Sequence, residues 1–342
     1  MMIKENCSLK EHNTFGIEAK ARQFVEYDSV EELQAFIRER AAQGDTSPLL
    51  HIGGGSNLLF LGDFEGTILH SRMHDIHVTA DEGDNIYVCV SAGIVWDDWV
   101  QYAIDSLWYG LENLSLIPGE VGASAVQNIG AYGAEAKDFI VYVDTVDLQT
   151  GEVRHFTVEE CRYGYRDSIF KHELRGRYAV THVHFHLSHG FRPRIEYGGI
   201  RQAITERGFD EVNLTAEQLR QTIIEIRRSK LPEPSELGNA GSFFTNPIVP
   251  RDIFERLSNE NPQIPHYEVD EQCVKIPAGW LIEQCGWKGK SLGKAGVYEK
   301  QALVLVNHGG ATGQDIATLC ERIQCDVKAK FGIDITPEVN FI

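Results

Sequence analysis

Apolar residues along the chain fall into two alternating periods. Leu33, Phe36 and Ile37 recur at helical spacing behind a Ser29–Glu32 capping pair, which predicts a helix over 30–42. Leu49–Ile52 is a short apolar strand that runs into Gly53-Gly54-Gly55-Ser56-Asn57 and on to Leu58, Leu59 and Phe60, so three glycines stand at a strand end. Ile86–Val90 reads as a strand, and Val95–Leu107, carrying Trp96, Trp99, Val100, Ala103 and Ile104, as an amphipathic helix packed on it. Val141–Leu148 and Val153–Phe156 flank the turn signal QTGE and predict a hairpin, so the sheet is at least partly antiparallel. Tyr178–Leu187 alternates, placing His182, His184 and His186 on one strand face with His189 just beyond.

Gln218–Arg228 is helical through Leu219, Ile223 and Ile226 and stops at Lys230, where LPEPSELG marks a linker or domain junction. Beyond the junction the chain has the pattern of a small α+β unit: a helix at 251–258, strand Val274–Ile276, helix Ala278–Cys285, strand Ala302–Asn307 and a long helix Gln314–Phe331. The tail ITPEVNFI is expected to return to the body of the protein.

One stretch obeys neither period. Ile117–Gly133, IPGEVGASAVQNIGAYG, contains Gly119, Gly122, Gly130 and Gly133, three alanines and one charge, Glu120. Without side chains in the way, its backbone N–H groups suit an anion such as a pyrophosphate. The consecutive glycines of Gly53–Asn57 make a second such loop. They are not the spaced dinucleotide fingerprint, and no helix with a later ribose-binding acid comes after them, so a Rossmann fold is not indicated.

Length and composition narrow the class. A chain of 342 residues is expected to form two or three domains. No apolar run approaches membrane-spanning length, and MMIKENCSLKEHNTFG lacks the apolar core of a secretory signal. The seven cysteines are odd in number and form no C-x-x-C pair, as in reduced cytoplasmic thiols. A formal charge of -18 argues against a nucleic-acid binder, and it means that a phosphorylated ligand needs dedicated donors against the overall field.

Several stretches carry candidate chemistry. In GNAGSFFTNP, Ser242 sits between small residues and Phe243 and Phe244, so its hydroxyl is accessible beside groups that exclude water. The surroundings are not G-x-S-x-G, which disfavours an esterase. GKS at Gly289–Ser291 has Gln284 where a P-loop requires glycine. Lys288, Lys290 and Lys294, with Arg227, Arg228, Lys230 and Lys275, supply local positive charge for an anionic substrate. CRYGYRDSIFK gathers three basic and two tyrosine residues, either as a ligand wall or as a solvated loop. The histidine strand lacks a companion ligand at metal-binding spacing and is read as a wet sheet face, with no metal expected.

The set HNTFG, GGGSN, IPGEVGASAVQNIGAYG, YRDSIFK, GSFFTNP, AGWLIEQCGWKG and PEV, in this order from residue 12 to the C-terminus, resembles the UDP-N-acetylenolpyruvoylglucosamine reductase family. The resemblance implies an α+β fold. A two-part FAD-binding domain of the p-cresol methylhydroxylase/vanillyl-alcohol oxidase type would occupy 1–75 and, with a Tyr-loop insertion, 76–230. A substrate domain at 231–332 and a tail at 333–342 returning to the active site would complete the chain. It implies non-covalent FAD, reduced by NADPH, which then reduces UDP-N-acetylglucosamine enolpyruvate to UDP-N-acetylmuramate in peptidoglycan synthesis. Reductant and substrate would use one cleft in turn, in a cytoplasmic monomer with no nucleic-acid or membrane partner.

Carried over by motif, Ser242 matches the proton donor, and Arg166 of YRDS and Glu338 of PEV match the pair that stabilises the enolate-like intermediate. Gly53, Gly54, Gly55, Ser56, Asn57, Pro118, Gly119, Gly122, Ser124, Asn128, Gly130 and Arg227 match positions around FAD. Tyr165, Tyr197 of EYGG, Lys230, Asn246, Tyr267, Lys288 and Gln301 match substrate contacts, and Tyr197 points to the subclass that closes a Tyr loop over the nucleotide. The family pattern is broken at Asn340, where a basic residue is usual, so a charged contact near the flavin is missing or supplied elsewhere. Alternatives of other kinds are an FAD-dependent oxidase of the same superfamily and a non-catalytic UDP-sugar binding protein.

Overall fold

The computed structural model describes every residue from Met1 to Ile342. The chain forms two compact units: Met1–Cys7, Ala21–Gly54 and Glu65–Ser229 in the first, and Ser8–Lys20, Gly55–Phe64 and Lys230–Ile342 in the second.

The first unit contains two sheets. The smaller has four strands in the order Met2–Ser8, Lys20–Tyr27, Phe64–Ser71, Leu49–Ile52, the last two running parallel. Beside it the helix Val30–Ala42 begins where the Ser29 hydroxyl accepts from the Glu32 N–H at 3.2 Å, a cap that contributes about 1 kcal/mol. Its Leu33, Phe36 and Ile37 pack with Tyr27, Leu69 and Val146. The larger sheet is antiparallel throughout, in the order Val153–Thr157, Ile140–Asp147, Tyr178–Ser188, Asn85–Ser91, Ile76–Glu82. The helix Trp96–Asp105 buries Trp96 and Trp99 against Phe185 of this sheet. It ends two residues earlier than its pattern predicts, because Leu107 adopts a left-handed φ of 62°.

Ile117–Gly133 is more ordered than its composition suggests. Val121–Gln127 forms a short helix, and Gly130–Ala131 pairs with Ala134–Glu135 as a small hairpin. Alanine and serine with few branched neighbours permit the helix, and Asn128 ends it in a left-handed conformation at φ 45°. A third cluster, Ile195, Ile200, Ile204, Leu214, Leu219 and Ile223, anchors the segment around EYGG on the helix Ala216–Lys230.

In the second unit a four-stranded antiparallel sheet has the order Gly238–Ser242, Val304–Asn307, Ala295–Val297, Ser291–Leu292. The helix Gly313–Phe331 carries a capping box of Thr312 and Asp315 and buries Ile316, Leu319, Cys320, Ile323, Val327 and Phe331, the stripe expected from its period. A Cβ on Gly313 would stand 1.8 Å from the Phe60 carbonyl oxygen, so the early segment Gly55–Phe64 lies directly against the start of this helix. Ile248–Pro250, Cys273–Lys275 and Tyr267–Glu268 form a separate three-stranded sheet. The tail closes this unit, with Asn340–Phe341 pairing in parallel with Leu58–Leu59. No helix is long and apolar enough to cross a membrane, and all seven cysteines are free thiols.

Candidate active site

Ser242 stands at the end of its strand because of a bulge. Asn239 pairs with Val306 and Ser242 with Val304, so three steps on one strand face two on the other. The extra residue is accommodated by Gly241 at φ 67°, whose N–H donates to Asn239 Oδ1 at 2.9 Å. Beneath Ser242, the buried Phe243 packs edge-on against Phe15 and Phe244 and near Phe341, with centroid distances of 6.1, 5.2 and 6.0 Å. The strand end that carries Ser242 is therefore backed by a buried aromatic layer.

The PEV tail lies alongside this strand. Thr245 N–H donates to the Thr336 carbonyl at 3.0 Å, Phe244 bridges Pro337, and Glu338 N–H donates to the Phe243 carbonyl. Asn57 donates its amide to the Glu338 carbonyl at 3.3 Å, and Asn340 N–H donates to the Asn57 carbonyl at 3.0 Å. Residues from positions 57, 242 and 338 thus meet in one unit. Asn340 spends its own amide on the Asn57 carbonyl at 3.3 Å, a structural role, and no charge is present at this position.

GGGSN is divided between the units after Gly54. Gly55 has φ 66°, and a Cβ there would meet the His12 carbonyl oxygen at 2.0 Å, so the family's HNTFG segment packs on it. In the first unit, a Cβ on Gly54 would be 3.6 Å from Gly119 Cα, and Gly119 has φ 120°. Two stretches of bare backbone therefore face each other. Gly122 is required for another reason, since a Cβ there would approach Ala92 Cβ to 2.7 Å, and Gly130 packs on the Ala134 carbonyl of its hairpin. Ser124 donates to the Val121 carbonyl at 2.6 Å.

Asn128 has no amide hydrogen left for a phosphate. Its Nδ2 donates to Glu135 Oε2 at 2.8 Å and to the Gly164 carbonyl at 2.7 Å, and its Oδ1 accepts from Lys137 N–H at 3.0 Å. It holds the neighbouring turn in place, leaving the loop backbone to meet an anion. That turn is Gly164–Asp167, closed by reciprocal backbone bonds of 3.0 and 3.2 Å around Tyr165 and Arg166. Arg166 has φ 55°, a left-handed conformation costing a side-chain-bearing residue about 1 kcal/mol, and Lys171 Nζ donates to its carbonyl at 2.7 Å. The YRDS stretch is thus a fixed turn with half-buried Arg166 and exposed Tyr165 at its tip.

The entry to the long glycine stretch is also fixed. Leu116, at φ 58°, donates its N–H to Asp97 Oδ1, and its carbonyl accepts from Arg227 Nε at 3.2 Å. Asp97 is held in turn by buried Arg220, at 2.7 and 2.9 Å. Burial raises the Asp97 pKa, but Arg220 and the Leu116 N–H outweigh it and hold the carboxyl below the ordinary range. Asp97, Arg220 and the buried Asn113 were absent from the sequence-based set. Asn113 donates to the carbonyls of Tyr132 and Arg194, both at 2.8 Å, and Tyr132 meets Tyr197 edge-on at 6.4 Å. The EYGG segment is thereby tied to the end of the glycine stretch.

The remaining substrate candidates lie in the second unit. Asn246 Oδ1 accepts from the first N–H of the helix Ala278–Gln284 at 2.9 Å, and Lys288 pairs with Glu283 at 3.0 Å. Gln301 accepts from Leu303 N–H at 3.3 Å, exposed Tyr267 lies 5.5 Å from Lys275 Nζ, and Lys230 is at the exposed end of its helix. The histidine strand is occupied by protein contacts: His184 bonds Asp144 at 3.0 Å and stacks on Tyr142 at 3.8 Å, while His186 bonds Asn85 at 2.8 Å.

The geometry fits FAD at one place in the first unit. Gly54 and Gly119 bring two backbone stretches together with the Glu120 side chain beside them, and Arg227, placed by its bond to Leu116, brings a cation to the start of the same loop. Two family models match the chain: an FAD binding domain over residues 21–157 and the UDP-N-acetylenolpyruvoylglucosamine reductase C-terminal domain over 233–342. An FAD binding domain joined to a reductase C-terminal domain defines the class, an FAD-containing oxidoreductase.

The chain is 55% identical over 340 residues to the UDP-N-acetylenolpyruvoylglucosamine reductase of Bacteroides fragilis (strain YCH46), covering 99% of this chain and 100% of that protein. It is 46% identical over 344 residues to the reductase of Porphyromonas gingivalis, covering 100% of both. A solved reductase from Thermus caldophilus shares the fold, with a TM-score of 0.69 at 22% identity over 100% of this chain and 99% of that one. This chain belongs to the UDP-N-acetylenolpyruvoylglucosamine reductase family.

Proposed function

We propose that this protein uses NADPH, through non-covalently bound FAD, to reduce UDP-N-acetylglucosamine enolpyruvate to UDP-N-acetylmuramate, a step in making peptidoglycan. The observation that carries the reading is end-to-end identity of 55% to a named reductase, and in this chain the backbones of Glu338 and the residue after Ser242 are hydrogen-bonded side by side. The residues that would hold FAD are the backbone of Gly53, Gly54, Pro118 and Gly119, with Arg227 beside them. FAD held there would supply the hydride chemistry that couples oxidation of NADPH to reduction of the enolpyruvyl double bond.

The protein's part is placement and field. Hydride addition to an enol ether conjugated with a carboxylate drives negative charge onto that carboxylate. Arg166 answers it through charge-assisted bonds from a guanidinium whose backbone is already fixed, so little reorganisation is needed as the charge develops. Glu338 is the second member of the pair implied by the motif, its main chain held by hydrogen bonds to the Phe243 carbonyl and from the Asn57 amide. Ser242 donates the proton to the neighbouring carbon. Serine is a weak acid, so the transfer relies on its position above the phenylalanine layer and on the basicity of the carbanion. Tyr165, Tyr197, Lys230, Asn246, Tyr267, Lys288 and Gln301 bind the nucleotide and sugar. The enzyme acts as a cytoplasmic monomer.

An anaerobic titration tests the reading. NADPH should bleach the bound flavin, and UDP-N-acetylglucosamine enolpyruvate should then restore its colour without oxygen. Recovery only on admitting oxygen would make the protein an oxidase, and colourless purified protein would make it a binding module.

A further inference from the structure

Glu120 is the only charged residue in Ile117–Gly133, and it is a carboxylate in a loop assigned to a diphosphate. It is buried rather than turned to solvent. A Cβ on Gly53 would lie 3.1 Å from Glu120 Oε2, and one on Gly54 would lie 3.8 Å from Oε1, so the carboxylate sits beside both glycines. Left bare, it would repel the ligand those glycines are placed to receive.

His70 answers this charge. Its Nε2 is 2.9 Å from Glu120 Oε1, and His70 is the register partner of Ile52, the residue just before Gly53. We propose that His70 and Glu120 are a charge-paired positioning element for the FAD diphosphate. Protonated His70 cancels the Glu120 carboxylate and fixes it against the glycine loops. The proposal rests on the FAD reading above and assigns these two residues a part in it.

The other groups facing His70 favour the imidazolium. Glu26, on the strand Lys20–Tyr27, is 3.7 Å from Nδ1 and is itself paired with Lys4 at 3.1 Å, with Arg72 nearby. His51, on the parallel neighbouring strand, bonds the Tyr27 hydroxyl at 2.8 Å, and burial lowers its pKa to about 3, so it stays neutral. Burial also works against a charged His70, but the bonds and fields of Glu120 and Glu26 outweigh it and raise its pKa. A raised histidine pKa gives pairing that is complete at low pH and lost as pH rises through the folded-state value. Flavin affinity is therefore expected to fall with rising pH.

The test dilutes the full-length holoenzyme and follows released FAD by its fluorescence from about pH 6 to about pH 9, a window spanning imidazole titration. The FAD Kd of the unaltered protein should rise by about tenfold or more across it, one pKa unit of linkage being a factor of ten. His70→Gln should weaken binding about tenfold at the low-pH end and remove the pH slope, and Glu120→Gln should tighten binding at the high-pH end, where the carboxylate is otherwise left uncancelled. The double variant, left with no charge at either position, should regain most of the His70→Gln loss. A flat profile for the unaltered protein, or additive losses in the double variant, would overturn the proposal. If His70→Gln fails to fold, Glu120→Gln decides alone, and an unchanged FAD affinity at the high-pH end overturns the proposal. Protein that binds no FAD at any pH refutes the FAD reading underneath, a different result from bound flavin with a flat profile.

Discussion

The Glu338 N–H donates to the Phe243 carbonyl at 2.8 Å, one residue along from Ser242. This bond ties the main chains that carry the two candidate catalytic residues of the second unit to each other. Ser242→Ala should therefore leave the strand intact and remove only the hydroxyl. We expect stopped-flow measurement to find flavin reduction by NADPH nearly unchanged and reoxidation by the enolpyruvyl substrate slowed about 10²-fold or more. Equal slowing of both steps would reassign the serine to flavin binding.

GGGSN serves two purposes, and adjacent substitutions should separate them. Gly54→Ala meets only ordinary contact, 3.6 Å from Gly119 Cα, so the protein should melt at nearly its usual temperature but bind FAD more weakly. Gly55→Ala combines a positive φ with a Cβ 2.0 Å from the His12 carbonyl. Its cost should be about 1–3 kcal/mol of stability, read from denaturant midpoints. Equal melting of the two variants would refute the division.

The Asp97–Arg220 pair should matter for stability and show it through pH. Asp97 has a depressed pKa, so its contribution is present above the unfolded value and is lost as pH falls through the lower folded value. Arg220→Ala strands a partly buried carboxylate and should cost about 3 kcal/mol near neutral pH. Urea titrations should find that penalty shrinking in acid. A penalty independent of pH would mean that Arg220 acts by packing alone.

Asn113 is expected to govern the Tyr197 segment rather than the flavin. Asn113→Ala leaves the carbonyls of Tyr132 and Arg194 without their shared donor, a loss of about 1–3 kcal/mol. Steady-state kinetics should record a raised KM for the enolpyruvyl substrate, with FAD retention unaltered. Loss of FAD with unchanged KM would place the effect in the glycine stretch.

The sequence revealed most where the signal was local. Ser29 and Glu32 marked one helix start, the stripe from Ile316 to Phe331 marked the buried face of another helix, and QTGE marked the hairpin. The short helix Val121–Gln127 was concealed by its glycine and alanine content, since the same small residues suit a loop. Asp97 and Arg220 had no local signature, because 123 positions separate them and each alone reads as a surface charge. Asn128 was legible as part of the site, but its work, holding the Gly164 turn, depends on a contact across 36 positions.

The second unit draws on Ser8–Lys20 and Gly55–Phe64 as well as on everything after Ser229. A fragment beginning at Lys230 would lack the Phe15 carbonyl that Asn307 bonds at 2.9 Å and the Leu58–Leu59 strand on which the tail lies. Expressed alone, it should be insoluble or molten, and adding a peptide spanning the two early segments should restore its order. During synthesis those early segments emerge long before their partners, so the second unit cannot complete its packing until the far end of the polypeptide has been made.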